Sequence, residues 1–502
     1  MTSAAHSEPE EPNGNGDDGD RLGSWIPIGL VCAVVCAVFL PTVRFGFVSW
    51  DDPLHLLQNP LVTHPNSVPW LDHLLTPALG YPTPMTVLSY RLEHALFGLE
   101  SAAPYHATNV ALHLLAVGLV YAVGRHMRLT PAAAALAALI FGLHPVVAEP
   151  VSWVTGRKDL LAAVFVLAAA KDHLQHPFEL RQPRSWVAVG LFGLAVLSKP
   201  VTLFFVPVVF VWNILLRRTA VVDAVKATIP FATIAALDFP LALLGQQANA
   251  SIRDDQGLIM VLREAWYALG YHLGLVSLVQ TPCVKHIPQH WPPHFTPEVD
   301  LLPVAWGMVL GLLVWRLEEE QRRLAGAAIF WMVVAYLPSS NVIPLSRFVA
   351  DVYVYLPLAG LGWLLGAWLD TAIAHTQRRW PAGAVLVVVA LILAALTLPS
   401  SARWRNSIAL WADGFAQNPH EYRMCRNLGN AYNQAGEYAI ALDVYQTCAG
   451  RFGSGPFAKN IAITLAMQGR HGEALQQFEQ LATQYPDDPV IQRYLNMLRQ
   501  PK

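Results

Sequence analysis

Eleven apolar stretches of spanning length constrain this chain more than any other feature; they lie at 25–43, 104–124, 131–150, 159–173, 185–199, 200–216, 227–245, 301–316, 324–341, 353–370 and 382–400. Inside a bilayer every backbone N–H and C=O must find a partner within the protein, which leaves helices or a closed barrel. Stretches this long and continuously apolar read as helices, so the fold class is all-α and the chain is a polytopic membrane protein. The composition agrees, with 54% hydrophobic and only 14% charged residues in 502. A formal net charge of −2 offers no phosphate-neutralising face, which excludes nucleic acid as a partner. Five cysteines without a CxxC pair or a Cys/His cluster at zinc spacing exclude a structural metal site.

Residues 1–23 are acidic and rich in Gly, Asn and Pro, a disordered cytoplasmic tail by composition. The run from Trp25 to Val43 is too long for a signal-peptide core and is read as a retained span. One further helical segment, near 257–282, carries Arg263, Glu264 and His272. With the tail inside and that segment omitted as a span, the short inner connections hold fourteen basic residues and the longer outer ones nine. Counting it would move the cluster at 316–323 outside, against the positive-inside tendency, so it is read as interfacial or re-entrant. The membrane domain then covers 24–400, the first outer loop 44–103, and the C-terminal part 401–502 emerges outside the cytoplasm. Arginine outnumbers lysine 26 to 7, a composition of GC-rich bacteria, which points to a bacterial inner membrane with the C-terminal domain in the periplasm.

After Ser401 the chain turns polar and repeats itself. RNLGNAYNQAGEYAIALDVYQ (426–446) aligns with KNIAITLAMQGRHGEALQQFEQ (459–480), with Gly436 and Gly469 at a 33-residue offset, and SIALWADGFAQNP (407–419) resembles the second helix of another unit. This pattern is similar to the tetratricopeptide repeat, a helical solenoid. Two and a half units are too few to stand alone, so the array is expected to dock on the membrane domain or a partner. Cys425, early in one helix, and Cys448, late in its antiparallel mate, can meet across the pair; they are read as two small buried core residues, although an outer location permits a disulfide.

Three outer segments carry candidate chemistry. FGFVSWDDPLHLLQNPLV holds the adjacent acids Asp51 and Asp52 beside Trp50. Asp52 before Pro53 reads as a helix N-cap, which leaves Asp51 facing a polar cavity. HPVVAEPVSWVTGRKDLL (144–161) breaks helical bonding at Pro145 and Pro150 and gathers His144, Glu149, Arg157, Lys158 and Asp159. LPSSNVIPLSRFVADVYVYLP (337–357) adds Arg347, Asp351, Tyr353 and Tyr355. Carboxylates and cations together at a membrane surface suit a reaction on a lipid-linked phosphate. A carboxylate takes the proton of an attacking hydroxyl, and the cations stabilise the departing phosphate.

These segments, with TVLSYRLEHALFGLESAAPYHATNVALHLL (86–115) and LSKP (197–200), resemble the transmembrane and tetratricopeptide-repeat-containing family, which is similar to GT-C glycosyltransferases and protein O-mannosyltransferases. The resemblance runs over about residues 40–480. It implies a GT-C-like helical membrane domain in which Asp51 and Asp52 are catalytic, a polyprenyl-phosphate monosaccharide donor, mannose, and a Ser or Thr acceptor on a polypeptide brought in by the repeats. His144, Glu149, Arg157 and Asp159 fall in the family's HP…E…W…GR.D segment and are assigned to donor and sugar contacts. Two positions depart from the pattern: the segment Tyr81-Pro82-Thr83-Pro84 lacks an arginine, and Val352 stands where the family has another. Arg91, Lys158 and Arg347 are expected to compensate. No cofactor is required, although a divalent cation held through water is compatible with the acids. The alternative function is a catalytically silent membrane adaptor presenting the repeats, which the missing arginines favour; a transporter is disfavoured because the charges gather at span ends.

Overall fold

The computed structural model describes residues 16–69, 72, 76, 81–176, 178–248, 257–285, 293–343, 345, 347–376 and 380–500. Among them the regular elements are helical. Thirteen longer helices precede the repeats: α1 Gly16–Phe39, α2 Pro84–Phe97, α3 Ala103–His126, α4 Pro131–Leu143, α5 Arg157–Gln175, α6 Trp186–Ser198, α7 Phe205–Leu215, α8 Val221–Ala248, α9 Leu258–Val276, α10 Leu302–Trp315, α11 Glu319–Tyr336, α12 Tyr355–Thr376 and α13 Trp380–Ala402. Helix α1 begins at Gly16, so residues 16–23 of the expected tail continue the first span; adding turns to an existing helix costs far less than starting one. Residues 1–15 of that tail lie outside the described residues.

All eleven apolar stretches are helical, but among the described residues only six helices are long and apolar enough to cross a membrane by themselves, or seven if the pair Pro131–Leu143 and Pro145–Ser152, bent by 52°, counts as one. Of the remaining stretches, those at Pro183–Ser198 and Pro200–Leu215 are apolar but shorter, whereas α5 and α11 are 19 and 18 residues long and carry several charged residues towards their ends. Helix α9 does not belong to the six. Its Arg263 pairs with both carboxylate oxygens of Asp300 at 2.6 and 3.0 Å, and Trp266 donates to the Asp300 carbonyl at 3.1 Å.

Close backbone approach builds the bundle centre, where α12 lies between α4 and α11. A Cβ on Gly362 or Gly366 would sit 2.8 Å from the carbonyl oxygen of Ala137 or Ala133, which is why small residues stand at this crossing. Beside it Trp212, Trp331 and Trp363 pack with ring centroids 5.2–5.9 Å apart. Each indole N–H reaches a carbonyl, of Ala327, Leu356 and Val120, at 2.9–3.1 Å, so no donor is stranded in the apolar interior. The helix breaks at 144–156, 199 and 337–354 then meet the first loop at one end of this bundle.

The C-terminal part is a run of antiparallel helices: α14 Ser407–Gln417, α15 Tyr422–Gln434, α16 Tyr438–Phe452, α17 Gly455–Met467, α18 His471–Gln484 and α19 Pro489–Arg499. The 33-residue period appears as two matching turns, at Gly436 (φ +78°) and Gly469 (φ +79°), a backbone region that favours glycine. Gly429 lets α15 close on Tyr445, whose ring would be 2.3 Å from a Cβ there. Helix α19, outside the sequence repeat, closes the array by stacking Tyr494 on Phe478 at 5.0 Å. Cys425 and Cys448 form a disulfide rather than remaining two thiols, because the antiparallel pair brings their Cα atoms within 6.3 Å.

Alkylation of the denatured, unreduced protein should therefore reach only Cys32, Cys36 and Cys283. Mass spectrometry showing all five cysteines labelled would contradict the pairing.

Candidate active site

The first loop enters the site end through a 3-10 turn at Leu40–Arg44 and a single π-type turn at Pro53–Leu57. Asp52 precedes that turn, yet its carboxylate does not cap it. It is fully buried and accepts three hydrogen bonds, from Val48 N–H at 2.8 Å, Thr155 N–H at 3.2 Å and the Thr155 hydroxyl at 2.5 Å. Burial pushes its pKa up to about 6, against the Thr155 and Val48 hydrogen bonds, which favour the ionised form; neighbouring Asp51 adds to the rise. The expected capping role is thus replaced by a long-range one. Asp51, half-buried, hydrogen-bonds through its backbone carbonyl to Leu54 and His55, and its carboxylate has no partner among the described residues.

Thr155 belongs to the broken segment after α4, where Pro145 and Pro150 interrupt the helix. His144 caps the break rather than pointing into a site: its Nδ1 accepts from Val146 N–H at 3.4 Å and its Nε2 lies 3.1 Å from the Val276 carbonyl. Arg157 is also committed, with no exposed surface. Its guanidinium donates to Asn109 at 2.5 Å, Glu93 at 2.7 Å, the Tyr105 carbonyl at 2.7 Å and Ser89 at 3.4 Å, under the Tyr90 ring. That commits four of its five donors and leaves it no exposed surface, so the geometry gives Arg157 a scaffold role in place of the expected donor contact. Asp159 pairs with Lys199 at 2.5 Å, leaving its Oδ2 buried without a partner. Arg91 is half-buried on α2 with no partner among the described residues, and no contact brings it to the acids.

Glu149 is buried and pairs with Arg347 through both oxygens, one of them at 3.2 Å, while accepting from Val352 N–H at 3.1 Å. Burial disfavours the charged guanidinium, but the Glu149 carboxylate outweighs it and holds Arg347 protonated. The Arg347 guanidinium lies 5.6 Å from the Trp50 ring centroid, which links the third segment to the acids. Lys158 is different. It is half-buried, sits 5.4 Å from the Trp153 ring and has no ion-pair partner among the described residues. Near it His55 is held neutral, its pKa well below the usual range through burial and the Lys158 charge, and its Nε2 is buried without a partner. Among the described residues no group of three or more His, Cys, Asp or Glu is placed to hold a metal ion.

Beside this cluster an apolar cavity of about 440 Å³ runs along α9, α10, α11 and α12, lined by Trp266, Trp306, Met332 and Leu361, with His272, Tyr336 and Ser340 as its polar lining. His272 accepts from Ala350 N–H at 3.3 Å, one residue before Asp351. The cavity therefore adjoins the segment that carries Arg347.

No family profile matches the chain. Over 72% of its length it is 25% identical to protein O-mannosyl-transferase TMTC4 of Mus musculus and to TMTC4 of Homo sapiens, covering 57% of each. Over 32% of its length it is 32% identical to protein O-mannosyl-transferase Tmtc2 of Drosophila melanogaster, covering 18% of that protein. The chain is similar in sequence to the protein O-mannosyl-transferases. It spans little more than half the length of the first two relatives, whose alignments cover 57% of them. Solved structures of similar outline are ArnT from Cupriavidus metallidurans bound to undecaprenyl phosphate (TM-score 0.43, 17% identity, 93% of this chain and 84% of that one) and the apo oligosaccharyltransferase of Archaeoglobus fulgidus (TM-score 0.45, 14% identity, 76% and 56%).

In the protein O-mannosyl-transferase pattern described above, an arginine stands where this chain has Val352. Here the position contributes its backbone N–H to Glu149 instead. Two polar residues of the site escaped the sequence reading. Lys199 carried a signal, since a lysine before Pro200 at a span end is costly unless paired. Thr155 carried none.

Arg157→Ala should lower stability by about 3–5 kcal/mol, because it strands buried Glu93. Arg157→Lys should not restore it, since one ammonium does not span Asn109, Glu93 and Tyr105. Thermal unfolding in detergent reads this; wild-type stability with weakened donor binding would overturn the scaffold assignment.

Proposed function

We propose that the protein transfers a monosaccharide, mannose, from a polyprenyl-phosphate donor to a Ser or Thr hydroxyl of a polypeptide on the outer face of a bacterial inner membrane. The observation that carries this reading is the division of labour within the acidic pair. Asp52 is sealed under three protein donors, whereas Asp51 beside it is only half-buried and its carboxylate has no partner among the described residues. Asp51 takes the proton of the acceptor hydroxyl as its oxygen attacks the anomeric carbon. The bond from that carbon to the phosphate oxygen breaks with inversion, and polyprenyl phosphate leaves with the bonding electrons. Lys158, which has no ion-pair partner among the described residues, holds the departing phosphate, with Arg347 across Trp50 as a second cation. The apolar cavity suits a polyprenyl chain, since its lining offers few polar groups. The disulfide in the repeats supports their placement in an oxidising compartment. Repeat-mediated capture of the polypeptide is part of this proposal.

Asp51→Asn should lower transfer by about 10²- to 10⁴-fold. Reconstituted membranes given labelled donor measure it. Intact transfer would favour the second reading, a silent adaptor, for which the one specific observation is Val352 in place of a cation. Lys158→Gln and Arg347→Ala should each raise the apparent donor KM by about tenfold, a loss of about 1.4 kcal/mol; unchanged donor affinity in both would remove the phosphate assignment.

Asp52 sets a pH dependence. With its folded pKa raised to about 6 above the usual carboxylate value, the ionised form costs the folded state free energy above pH 6, and the protonated form is favoured below it. Protonation also removes acceptor capacity for Val48 and Thr155, so transfer should fall as pH drops through about 6. Thr155→Val, which deletes a hydrogen bond to the ionised form, should move that midpoint upward. A rate profile flat from pH 5 to pH 7 would refute this assignment.

A further inference from the structure

The loop that carries Asp51 is held from outside the membrane domain. Ser49 N–H donates to the Ser407 hydroxyl at 2.8 Å, and the Trp411 indole N–H donates to the Ser49 hydroxyl at 3.1 Å. The Trp411 ring, almost fully buried, lies 5.2 Å from Trp50, whose ring also faces Arg347 at 5.6 Å. Gly46 N–H reaches the Arg405 carbonyl at 3.0 Å. A second line runs in parallel: Trp404 stacks on Trp153 at 5.4 Å with the rings 20° apart, and Trp153 is the ring beside Lys158. The base and Lys158 of the proposed site are each one step from a tryptophan contributed after residue 401.

Two further contacts fix the same helix to the membrane domain. Asn418 donates to the Lys285 carbonyl at 2.9 Å and Gln417 to the Pro282 carbonyl at 3.2 Å, the second of these sharing its acceptor with Arg403. Helix α14 is therefore wedged between the first loop and the 282–285 segment. Among the described residues the Asp51 carboxylate has no hydrogen-bond partner to hold it, so its placement depends on Ser49 and Trp50 before it and Asp52 after it. Rate is sensitive to such placement, because a displacement of about 1 Å can cost about 10²-fold.

We propose that Trp411 and Trp404 are positioning residues for the transfer reaction, Trp411 for Asp51 and Trp404 for Lys158, which makes the start of the repeat domain part of the catalytic unit rather than a detachable recruiting arm. This rests on the transfer reading above and deepens it. Trp411 acts through both its ring and its N–H, and Trp404 through stacking alone, so their loss has different kinetic signatures.

The test uses full-length protein in proteoliposomes with undecaprenyl-phosphate-mannose as donor and outer-compartment proteins of the source cell as acceptor. Trp411→Ala should lower turnover per bound donor by about 10- to 100-fold with donor-binding stoichiometry retained. Trp411→Phe, which keeps the ring, should recover most of that loss. Trp404→Ala should instead raise the donor KM several-fold, and Trp404→Phe should restore it. Wild-type turnover in Trp411→Ala beside an inactive Asp51→Asn would overturn the positioning role and leave the transfer reading standing. Full transfer by Asp51→Asn would overturn the transfer reading itself. Should Trp411→Ala lose donor binding altogether, Trp411→Phe decides: near-normal turnover supports the proposal, and the same collapse overturns it.

Discussion

The burial of the Asp52 carboxylate under Val48 and Thr155 is the constraint on which the rest of the site depends. A carboxylate out of water is costly unless its lone pairs are filled. Here that is done by two backbone amides and a hydroxyl, with no ion pair to Asp52 among the described residues. The result ties the first loop to the break after α4, two elements about a hundred residues apart in the chain. It also turns the preceding acid outward. Two adjacent carboxylates in one turn do not both bury cheaply, and with Asp52 fixed inside Asp51 is only half-buried.

The cations obey the same economy. Arg157 spends four of its five donors on Asn109, Glu93, Tyr105 and Ser89, Lys199 pairs with Asp159, and Arg347 pairs with Glu149 while its Nε keeps no partner among the described residues. Removing any of these partners would leave an uncompensated charge in a poorly hydrated setting. Such pairs are the framework that holds the broken helix ends together. Lys158 escapes because it lies over the face of Trp153, where a ring replaces a carboxylate as its neighbour. Counting basic residues in the loops at this end of the bundle therefore overstates how many are available to an anion.

Proline breaks and the repeat domain complete the construction. The breaks at Pro145, Pro150 and Pro200 free backbone groups at the bundle end, and these become the contacts of the site, as when Tyr90 and Asn109 reach the carbonyls of Val154 and Trp153. Over that end α14 lays Trp411 against Trp50, and the preceding turn lays Trp404 against Trp153. An array too short to be stable alone gains a partner surface, and a loop with little internal structure gains a support.

The helical class, the apolar segments and the repeat period were legible in the residues themselves, because apolar run length, the 33-residue spacing of Gly436 and Gly469 and the placement of proline act locally. So was the neighbourhood of the site, since Asp51, Asp52, Glu149, Lys158 and Arg347 all stand in segments rich in charge at the ends of spans. What only the tertiary structure decided is which of these groups is free. Whether Arg157 is committed to the scaffold, whether Asp52 caps a turn or is held by Thr155, and whether Cys425 meets Cys448 all depend on partners distant in sequence or on helix pairing. A charge near a membrane advertises its cost in the sequence, but its partner is chosen by packing.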